Sequence, residues 1–229
     1  MIALHQFEIS PYCDKIRRVL NVKRQPYTAV EVPLTRASSI ARKNPARKLP
    51  FLEHDGAIVA DSTDIAHYLE RTFPEPPLVP KDPRLAGLCH VLEDWADESL
   101  YFYEMRLRFG EAKNAARWIP ELLKHDPPIA RALLPLFIPR QLGGVLSRQG
   151  VGRKSKAQVL VDVERHVDAL DGLLSAGDWL VGPTLTLADI SVFAELSCID
   201  GTPEGSTRID ARPRVRGWLE RVDAATRAS

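Results

Sequence analysis

Residues 8–20 read Glu-Ile-Ser-Pro-Tyr-Cys-Asp-Lys-Ile-Arg-Arg-Val-Leu and join a short apolar run to an amphipathic pattern. Three apolar residues share one face of the helix that this pattern predicts: Ile16, Val19 and Leu20. Pro11 suits the first turn of that helix, where the N–H group that proline lacks has no partner in any case. The stretch therefore predicts that a strand passes into the N-terminus of a helix at Ser10.

The first seventy-odd residues alternate between strand and helix patterns in the order βαβ, helix, ββ, helix. Strands are predicted at Ile2–Glu8, Pro26–Val32, Pro50–Glu53 and Ala57–Ala60. His54-Asp55-Gly56 has the composition of a hairpin turn. Further helices are predicted at Thr35–Lys43, which ends before Asn44-Pro45, and from Ser62, which we expect to cap its helix.

Five prolines between Phe73 and Pro83 exclude a helix interior or a central strand. Beyond them the patterns are helical, beginning with the amphipathic stretch Leu85–Arg108. The later helical signals are the stripe Val159, Val163, Val167, Leu170 and Leu174, the capping box Thr186–Asp189, and the apolar set Val215, Trp218, Leu219 and Val222. We therefore predict an α/β domain at 1–73, a proline-rich linker at 74–83 and an all-helical domain at 84–229.

The segment from Glu111 to Arg153 is the least regular part of the chain. Five prolines predict that it breaks into short helices: Pro120, Pro127, Pro128, Pro135 and Pro139. Four glycines predict mobile loops near its end: Gly143, Gly144, Gly150 and Gly152.

The composition of the 229 residues is that of an ordinary globular protein, with 27% charged residues and a net charge of +1. This balance gives no general reason to bind nucleic acid or an anionic membrane. The first residues lack the basic and apolar regions of a secretory signal. The three cysteines, Cys13, Cys89 and Cys198, do not form a disulfide framework, so we expect a reducing, cytoplasmic setting. Cys89 and Cys198 are most simply small core residues.

Three short motifs carry the candidate chemistry. Ser10-Pro11-Tyr12-Cys13 has the form of a C-x-x-C redox pair with serine in the first position, which excludes a two-cysteine cycle within the motif. A thiolate at Cys13 is expected to have a lowered pKa near the helix N-terminus. A proline such as Pro50 is often cis in a tight turn, which leaves the backbone of the residue before it free to pair with an extended peptide.

Asp61-Ser62 begins a helix, and the N–H groups of such a helix start form a site for a carboxylate. Together with the other two motifs, this site suits a short anionic peptide that carries its own thiol.

The chain resembles a cytosolic glutathione transferase over nearly its whole length. The residues that carry the resemblance are Ser10–Cys13 with Lys15, Ile16 and Arg17, then Asn44-Pro45 through Lys48-Leu49-Pro50, then Asp61-Ser62, then Thr186–Asp189. The resemblance implies a thioredoxin-like N-terminal domain, an all-helical C-terminal domain and a homodimer. The chain departs from the family after Glu111, where two long helices would be expected.

The resemblance also implies roles for individual residues. Leu49 would pair its backbone with the cysteinyl part of glutathione with Pro50 in cis, Asp61 and Ser62 would hold the γ-glutamyl end, and Lys48 would lie near the glycyl carboxylate. Ser10 matches the activating position of zeta-like and omega-like members, which is serine in zeta-like members and cysteine in omega-like members. Cys13 matches the cysteine that beta-class bacterial members use.

Each candidate also has a plainer explanation. Ser10 is a good helix cap, worth about 1 kcal/mol, and Cys13 lies one turn inside the helix, where a packing role is favoured over a nucleophilic one. Asp61 and Ser62 fit a helix cap and its first turn, and Lys48 fits an exposed charge.

The long helix after the linker adds weaker candidates. Tyr101, Met105 and Phe109 share one side of it, and either core packing or the wall of an electrophile pocket explains them, with Tyr12 a further candidate for that wall. His90, Asp94 and Asp97 share another face, which fits a solvated or dimer-facing surface better than a metal site, so we expect no metal. An acid on this helix reaches glutathione across the dimer in some family members, which makes Asp97 a candidate.

The leading functional hypothesis is a glutathione transferase in which Ser10 stabilises the glutathione thiolate for attack on a small hydrophobic electrophile. The alternatives are a glutathione-dependent isomerase or thiol-exchange enzyme, and a non-catalytic binding protein of the same fold. Serine at position 10 disfavours thiol exchange but leaves isomerisation open.

Overall fold

The computed structural model describes residues 1–37, 44 and 48–228. Four strands form one mixed sheet in the order β2-β1-β3-β4. They are β1 (Ile2–Gln6), β2 (Tyr27–Glu31), β3 (Phe51–His54) and β4 (Ala57–Ala60). β1 is parallel to β2 and antiparallel to β3, and β3 and β4 form the predicted hairpin. Asp55 and Gly56 both have positive φ, as a two-residue hairpin turn requires.

Eleven α-helices lie in the described part of the chain. They are α1 (Pro11–Val22), α2 (Ser62–Thr72), α3 (Pro83–Trp95), α4 (Tyr101–Gly110), α5 (Ala112–Leu122), α6 (Pro128–Leu133), α7 (Ile138–Gln149), α8 (Lys156–Leu173), α9 (Leu187–Asp200), α10 (Pro203–Asp210) and α11 (Pro213–Thr226). Residues 34–37 form a 3-10 turn, and the rest of the helix predicted at Thr35–Lys43 lies outside the described residues. The order of elements confirms the predicted fold class, a small α/β unit followed by a helical one.

The predicted core residues are buried. Ile16, Val19 and Leu20 of α1 are fully buried, and α1 packs against α2, α9 and α11. The whole predicted stripe of α8 is also buried, from Val159 to Leu174. The capping box that begins α9 is confirmed, because the Asp189 carboxylate accepts hydrogen bonds from the backbone N–H and the hydroxyl of Thr186, at 2.9 and 2.8 Å.

The segment from Glu111 to Arg153 is divided into short helices, as the prolines predicted, but two details differ. Pro120 lies in the last turn of α5, which continues for two further residues. Gly143 and Gly144 lie inside α7 and not in a mobile loop. Glycine costs only about 1 kcal/mol in a helix interior, and the apolar residues Ile138 and Leu146, which this helix buries, outweigh that cost.

The stretch predicted as one helix from Leu85 to Arg108 is helical throughout, but the hydrogen-bonding pattern changes in its middle. A π-helical turn, Ala96–Leu100, joins α3 to α4. Single π turns inside α-helices are frequent at functional sites. Residues 73–82 before this path are neither helix nor strand, as the five prolines predicted, although Pro83 is the first residue of α3. The domain limits 1–73, 74–83 and 84–229 stay a prediction.

Candidate functional site

Ser10 lies at the junction of β1 and α1, and its hydroxyl is not used to cap the helix. Its backbone N–H donates to the Phe7 carbonyl at 3.1 Å, and its own carbonyl accepts from the N–H groups of Cys13 and Asp14 at 3.1 and 2.9 Å. The side chain accepts no hydrogen bond from the first turn of α1. The plain explanation of Ser10 as a capping side chain therefore lacks its expected contact.

Ser10 lines two neighbouring cavities that also share Phe7 and Tyr101. The first, which we call the polar cavity, has a volume of about 440 Å³. Its other lining residues are Tyr12, Lys48, Leu49, Asp61, Ser62, Thr63, Asp94, Asp97, Glu98 and Phe102. All but one of the residues predicted to bind glutathione thus surround one space. Pro50 is the exception; the Leu49–Pro50 peptide bond beside the cavity is cis, as predicted.

The start of α2 forms one wall of the polar cavity. Asp61, and not Ser62 as predicted, is the N-cap residue, and its carboxylate accepts from the Thr63 N–H at 3.1 Å. Asp61 has φ of +79°, a conformation that costs about 1–3 kcal/mol in a residue other than glycine and that clusters at binding sites. Its second oxygen lies 3.1 Å from Lys48 Nζ, so these two predicted residues form an ion pair at the cavity rim.

A buried ionic cluster lies behind the polar cavity. Lys15 of α1 forms a salt bridge with Glu93, and its Nζ lies 2.8 Å from Asp97 Oδ2. The hydroxyl of Ser62 donates to the same Asp97 oxygen at 3.3 Å. Burial lowers the pKa of Lys15, but the charges of Asp97 and Glu93 outweigh this effect and raise the pKa overall. Burial also raises the pKa of the Asp97 carboxyl.

The second cavity, which we call the apolar cavity, has a volume of about 240 Å³. Its other lining residues are Ile9, Pro11, Leu34, Glu104, Met105, Arg108, Phe109, Leu122, Ile138, Gln141 and Leu142. Tyr101 and Met105, both predicted for an electrophile pocket, line this cavity. Tyr12 lines only the polar cavity, and its ring centroid lies 4.8 Å from that of Tyr101.

The thiol of Cys13 is unlike the reactive thiolate expected from its position. Its side chain is completely buried, and burial raises its pKa to about 11, although a hydrogen bond from Ser10 acts in the opposite direction. The prediction of a lowered pKa was wrong because Cys13 lies on the core face of α1, where the loss of solvation exceeds the effect of the helix N-terminus. The packing role that the sequence favoured fits this burial.

The two tyrosines of the site are held in their neutral form. Burial is the main cause that raises the pKa of Tyr12 and of Tyr101, and nearby carboxylates add to it. The Tyr12 hydroxyl donates to the backbone oxygen of Asp97 at 2.7 Å. That contact occupies the Tyr12 proton. The Ser10 side chain also forms a hydrogen bond with the Cys13 thiol, but it lines both cavities, so its hydroxyl is the better placed of the two to turn toward an anion between them.

Sequence reasoning missed the ionic groups of this region. Lys15 was noted only as part of a motif, and neither Glu93 nor the pair Glu104 and Arg108 was singled out. Arg108 Nη1 lies 3.1 Å from Glu104 Oε2, both side chains are buried, and both line the apolar cavity. Their spacing of four residues on a helix is a signal for an ion pair, but not for its burial. Among the described residues, no three side chains of His, Cys, Asp or Glu are grouped as metal ligands.

Comparison with known proteins matches both parts of the chain to one family. The family model for the glutathione S-transferase N-terminal domain matches residues 4–77, and the model for the glutathione S-transferase C-terminal domain matches residues 153–221. Together the two models match more than half of the chain.

Individual relatives agree with this result. The isoprene-epoxide glutathione S-transferase of Rhodococcus sp. strain AD45 is 25% identical, over 94% of this chain and 92% of that protein. The FtsZ-localized protein A of Caulobacter vibrioides is 26% identical, over 86% of this chain and 76% of that protein. The crystal structure of a glutathione S-transferase from Rhodospirillum rubrum F11 superimposes with a TM-score of 0.71 at 25% identity, covering 98% of this chain and 88% of that one. The chain belongs to the glutathione transferase superfamily.

Proposed function

We propose that the protein is a glutathione transferase in which the Ser10 hydroxyl stabilises the thiolate of glutathione for attack on a small hydrophobic electrophile. The observation that carries the proposal is the position of Ser10, which lines both cavities and whose hydroxyl makes no capping bond. A hydrogen bond to an anion is worth about 1.5–3 kcal/mol, enough to lower a thiol pKa by one or two units.

The charges around the polar cavity suit the γ-glutamyl end of the peptide. The carboxylates of Asp61, Asp97 and Glu98 face the space in which its ammonium group would lie, and the first turn of α2 offers N–H groups for its carboxylate. Among the residues that the structure describes, Lys48 at the rim supplies a cation for the glycyl carboxylate. Leu49 and Pro50 complete the edge along which an extended peptide would pair.

The chemical step needs few groups from the protein. The glutathione thiol gives its proton to water, and the thiolate forms a carbon–sulfur bond with the electrophile. A leaving group departs with its bonding electrons; in an epoxide the ring C–O bond opens and the oxygen takes a proton from water. The N-terminus of α1 adds a partial positive charge near the sulfur.

The proposal is tested by titrating the wild type, Ser10→Ala and Ser10→Thr with glutathione by calorimetry, and by recording thiolate absorbance against pH. We expect all three to bind the peptide, and only the alanine variant to lose the lowered thiol pKa, because threonine keeps the hydroxyl. Turnover is then measured with a chlorodinitrobenzene and with a small alkyl epoxide. An unshifted thiol in the wild type would remove Ser10 from the mechanism.

The alternatives give different results in the same experiment. A non-catalytic binding role predicts no turnover and no dependence on Ser10. A glutathione-dependent isomerase would bind the peptide and lower its thiol pKa without conjugating it. Thiol exchange at Cys13 is disfavoured by the complete burial and raised pKa of that thiol.

A further inference from the structure

The segment that holds α6 and α7 is unusually exposed for its composition. Four of its large apolar side chains are mostly exposed to solvent: Ile129 at 76%, Leu133 at 53%, Leu136 at 73% and Phe137 at 59%. Ile129 and Leu133 are four residues apart and share one side of α6. Single exposed apolar residues are common, but four within nine residues make a patch that usually marks an interaction site.

The stretch of chain that contains α6 and α7 and the residues just after them carries only positive charges, although the charges of the whole chain nearly balance. Residues 127–161 contain six basic residues and no acidic one. Lys154 and Lys156 form ion pairs with Asp162 and Glu204. The other four, Arg131, Arg140, Arg148 and Arg153, are exposed and have no ion-pair partner among the residues that the structure describes. The overall net charge of +1 therefore hides a local excess of positive charge.

Exposed apolar groups beside unpaired arginines fit an anionic lipid surface better than they fit a second copy of this chain. Apolar side chains enter the boundary between headgroups and acyl chains, while arginines reach the phosphates. A second copy of this face would bring like charges together, which opposes self-association. In the described residues no single helix is long and apolar enough to span a membrane, and the bent pair Pro128–Leu136 and Ile138–Gln149 passes that test by length and composition only. α7 buries Ile138 and Leu146 in the protein core, which leaves its exposed side chains for contact with a lipid surface.

We infer that the α6–α7 face, defined by Ile129, Leu133, Leu136, Phe137 and the arginines Arg131, Arg140 and Arg148, docks the protein on an anionic membrane surface. The net charge led us to expect no such partner, because it averages over the chain. Ile138, Gln141 and Leu142 of α7 also line the apolar cavity. If the proposed function holds, docking brings the electrophile pocket next to the lipid phase, where hydrophobic substrates are concentrated.

The docking is tested by co-sedimentation of the full chain with vesicles. One set is phosphatidylcholine alone, and the other is an equal mixture of phosphatidylcholine and phosphatidylglycerol. We expect binding to the mixture only, and a loss of binding as salt is added. Arg140→Glu with Arg148→Glu, and separately Leu136→Ser with Phe137→Ser, are each expected to weaken binding by at least about tenfold.

Matched changes elsewhere control for nonspecific effects. Arg71→Glu with Lys81→Glu reverses two exposed charges, and Val91→Ser with Val161→Ser removes two exposed apolar groups. We expect both control proteins to bind the mixed vesicles as the wild type does. A Phe137→Trp protein keeps a large apolar side chain, and its fluorescence is expected to be quenched by brominated lipids in the mixture.

Each of the following results would overturn the inference. The first is no binding to mixed vesicles at low salt. The second is binding that the control pairs weaken as much as the face variants do, or an unquenched tryptophan at position 137. The third is a lipid-free dimer that Leu136→Ser with Phe137→Ser dissociates, which would identify a second copy as the occupant. Since none of these measurements uses glutathione, they fail or succeed independently of the proposed function.

Discussion

Lys15 Nζ lies 2.8 Å from Asp97 Oδ2, and this contact joins the helix that follows Ser10 to the π-helical turn between α3 and α4. Lys15 is 1% exposed, and Glu93 beside it is equally buried. Asp97 in turn accepts from Ser62 at the start of α2. One buried cation thus connects α1 to α3 and the π-helical turn directly, and to α2 through Asp97.

Lys15→Met is expected to destabilise the protein by about 3–5 kcal/mol, because it leaves Glu93 and Asp97 buried without their cation. The free energy of unfolding is measured by urea denaturation. Lys81→Met makes the same chemical change at an exposed position and is expected to stay within about 0.5 kcal/mol of the wild type.

A triple variant tests the electrostatic cause of that loss. Adding Glu93→Gln and Asp97→Asn to Lys15→Met removes the unpaired charges, and we expect it to recover part of the lost stability. Two results would contradict the claim that Lys15 stabilises the fold by neutralising buried carboxylates. One is a Lys15→Met protein as stable as Lys81→Met, and the other is a triple variant less stable than Lys15→Met.

The Cys13 thiol gives a prediction for alkaline pH. Its pKa is raised from an ordinary value of 9.0 to about 11 by burial, so folding favours the protonated thiol. The stability that it contributes is present below about pH 9 and is lost as the pH rises through about 11. The difference in unfolding free energy between the wild type and Cys13→Ala should therefore shrink by about 2 kcal/mol between about pH 8 and about pH 11.

Other groups titrate over the same range, but they are present in both proteins and their contributions cancel in the difference. A difference that stays constant with pH would show that the thiol is not held in its protonated form. A difference that grows would require a lowered pKa, as the sequence alone suggested.

The sequence was sufficient for features that depend on local chemistry. The Asp55-Gly56 turn, the buried stripe of α8 and the capping box at Thr186 all follow from residue type and spacing over a few positions. The order of elements followed in turn from these signals and from the prolines between Phe73 and Pro83. The predictions were wrong where tertiary packing outweighs the helix propensity of single residues. Gly143 and Gly144 are an example, because α7 includes them while its apolar residues pack in the core.

The candidate site was only partly predictable for a related reason. Residues at element boundaries, such as Ser10 and Asp61, carry a signal in the sequence because a strand ends or a helix begins there. The sequence does not reveal the burial of Lys15 and Arg108 or their distant contacts, since these depend on partners that the fold brings beside them. The partners are Glu93 and Asp97 around Lys15, and the Ile9 carbonyl at 3.2 Å from Arg108. The burial of Cys13 depends likewise on which side of α1 faces the core.

The exposed ion pair between Lys48 and Asp61 allows a role of Lys48 in glutathione binding to be distinguished from a role in stability. Both side chains are substantially exposed, and exposed pairs of this kind contribute about 0–1 kcal/mol to stability. Lys48→Ala should therefore leave the unfolding free energy nearly unchanged while it weakens glutathione binding in calorimetry several-fold. Arg24→Ala, an exposed change outside the cavity, serves as the control. Equal affinities of the two variants for glutathione would remove Lys48 from the site.

The apolar cavity gives the most direct test of how the second substrate is chosen. Leu142 of α7 lines this cavity and is only partly buried, so we expect a larger side chain there to project into the space. Leu142→Trp should lower kcat/KM for a bulky electrophile by about tenfold or more and affect a small epoxide less, with the affinity for glutathione unchanged. Val145→Trp adds the same ring to the same helix at a position outside the cavity, and it should leave both values as they are. A loss of glutathione affinity in Leu142→Trp, or equal effects of the two variants, would mean that α7 does not select the electrophile, and the pocket would then have to be sought elsewhere along the cleft beside Ser10.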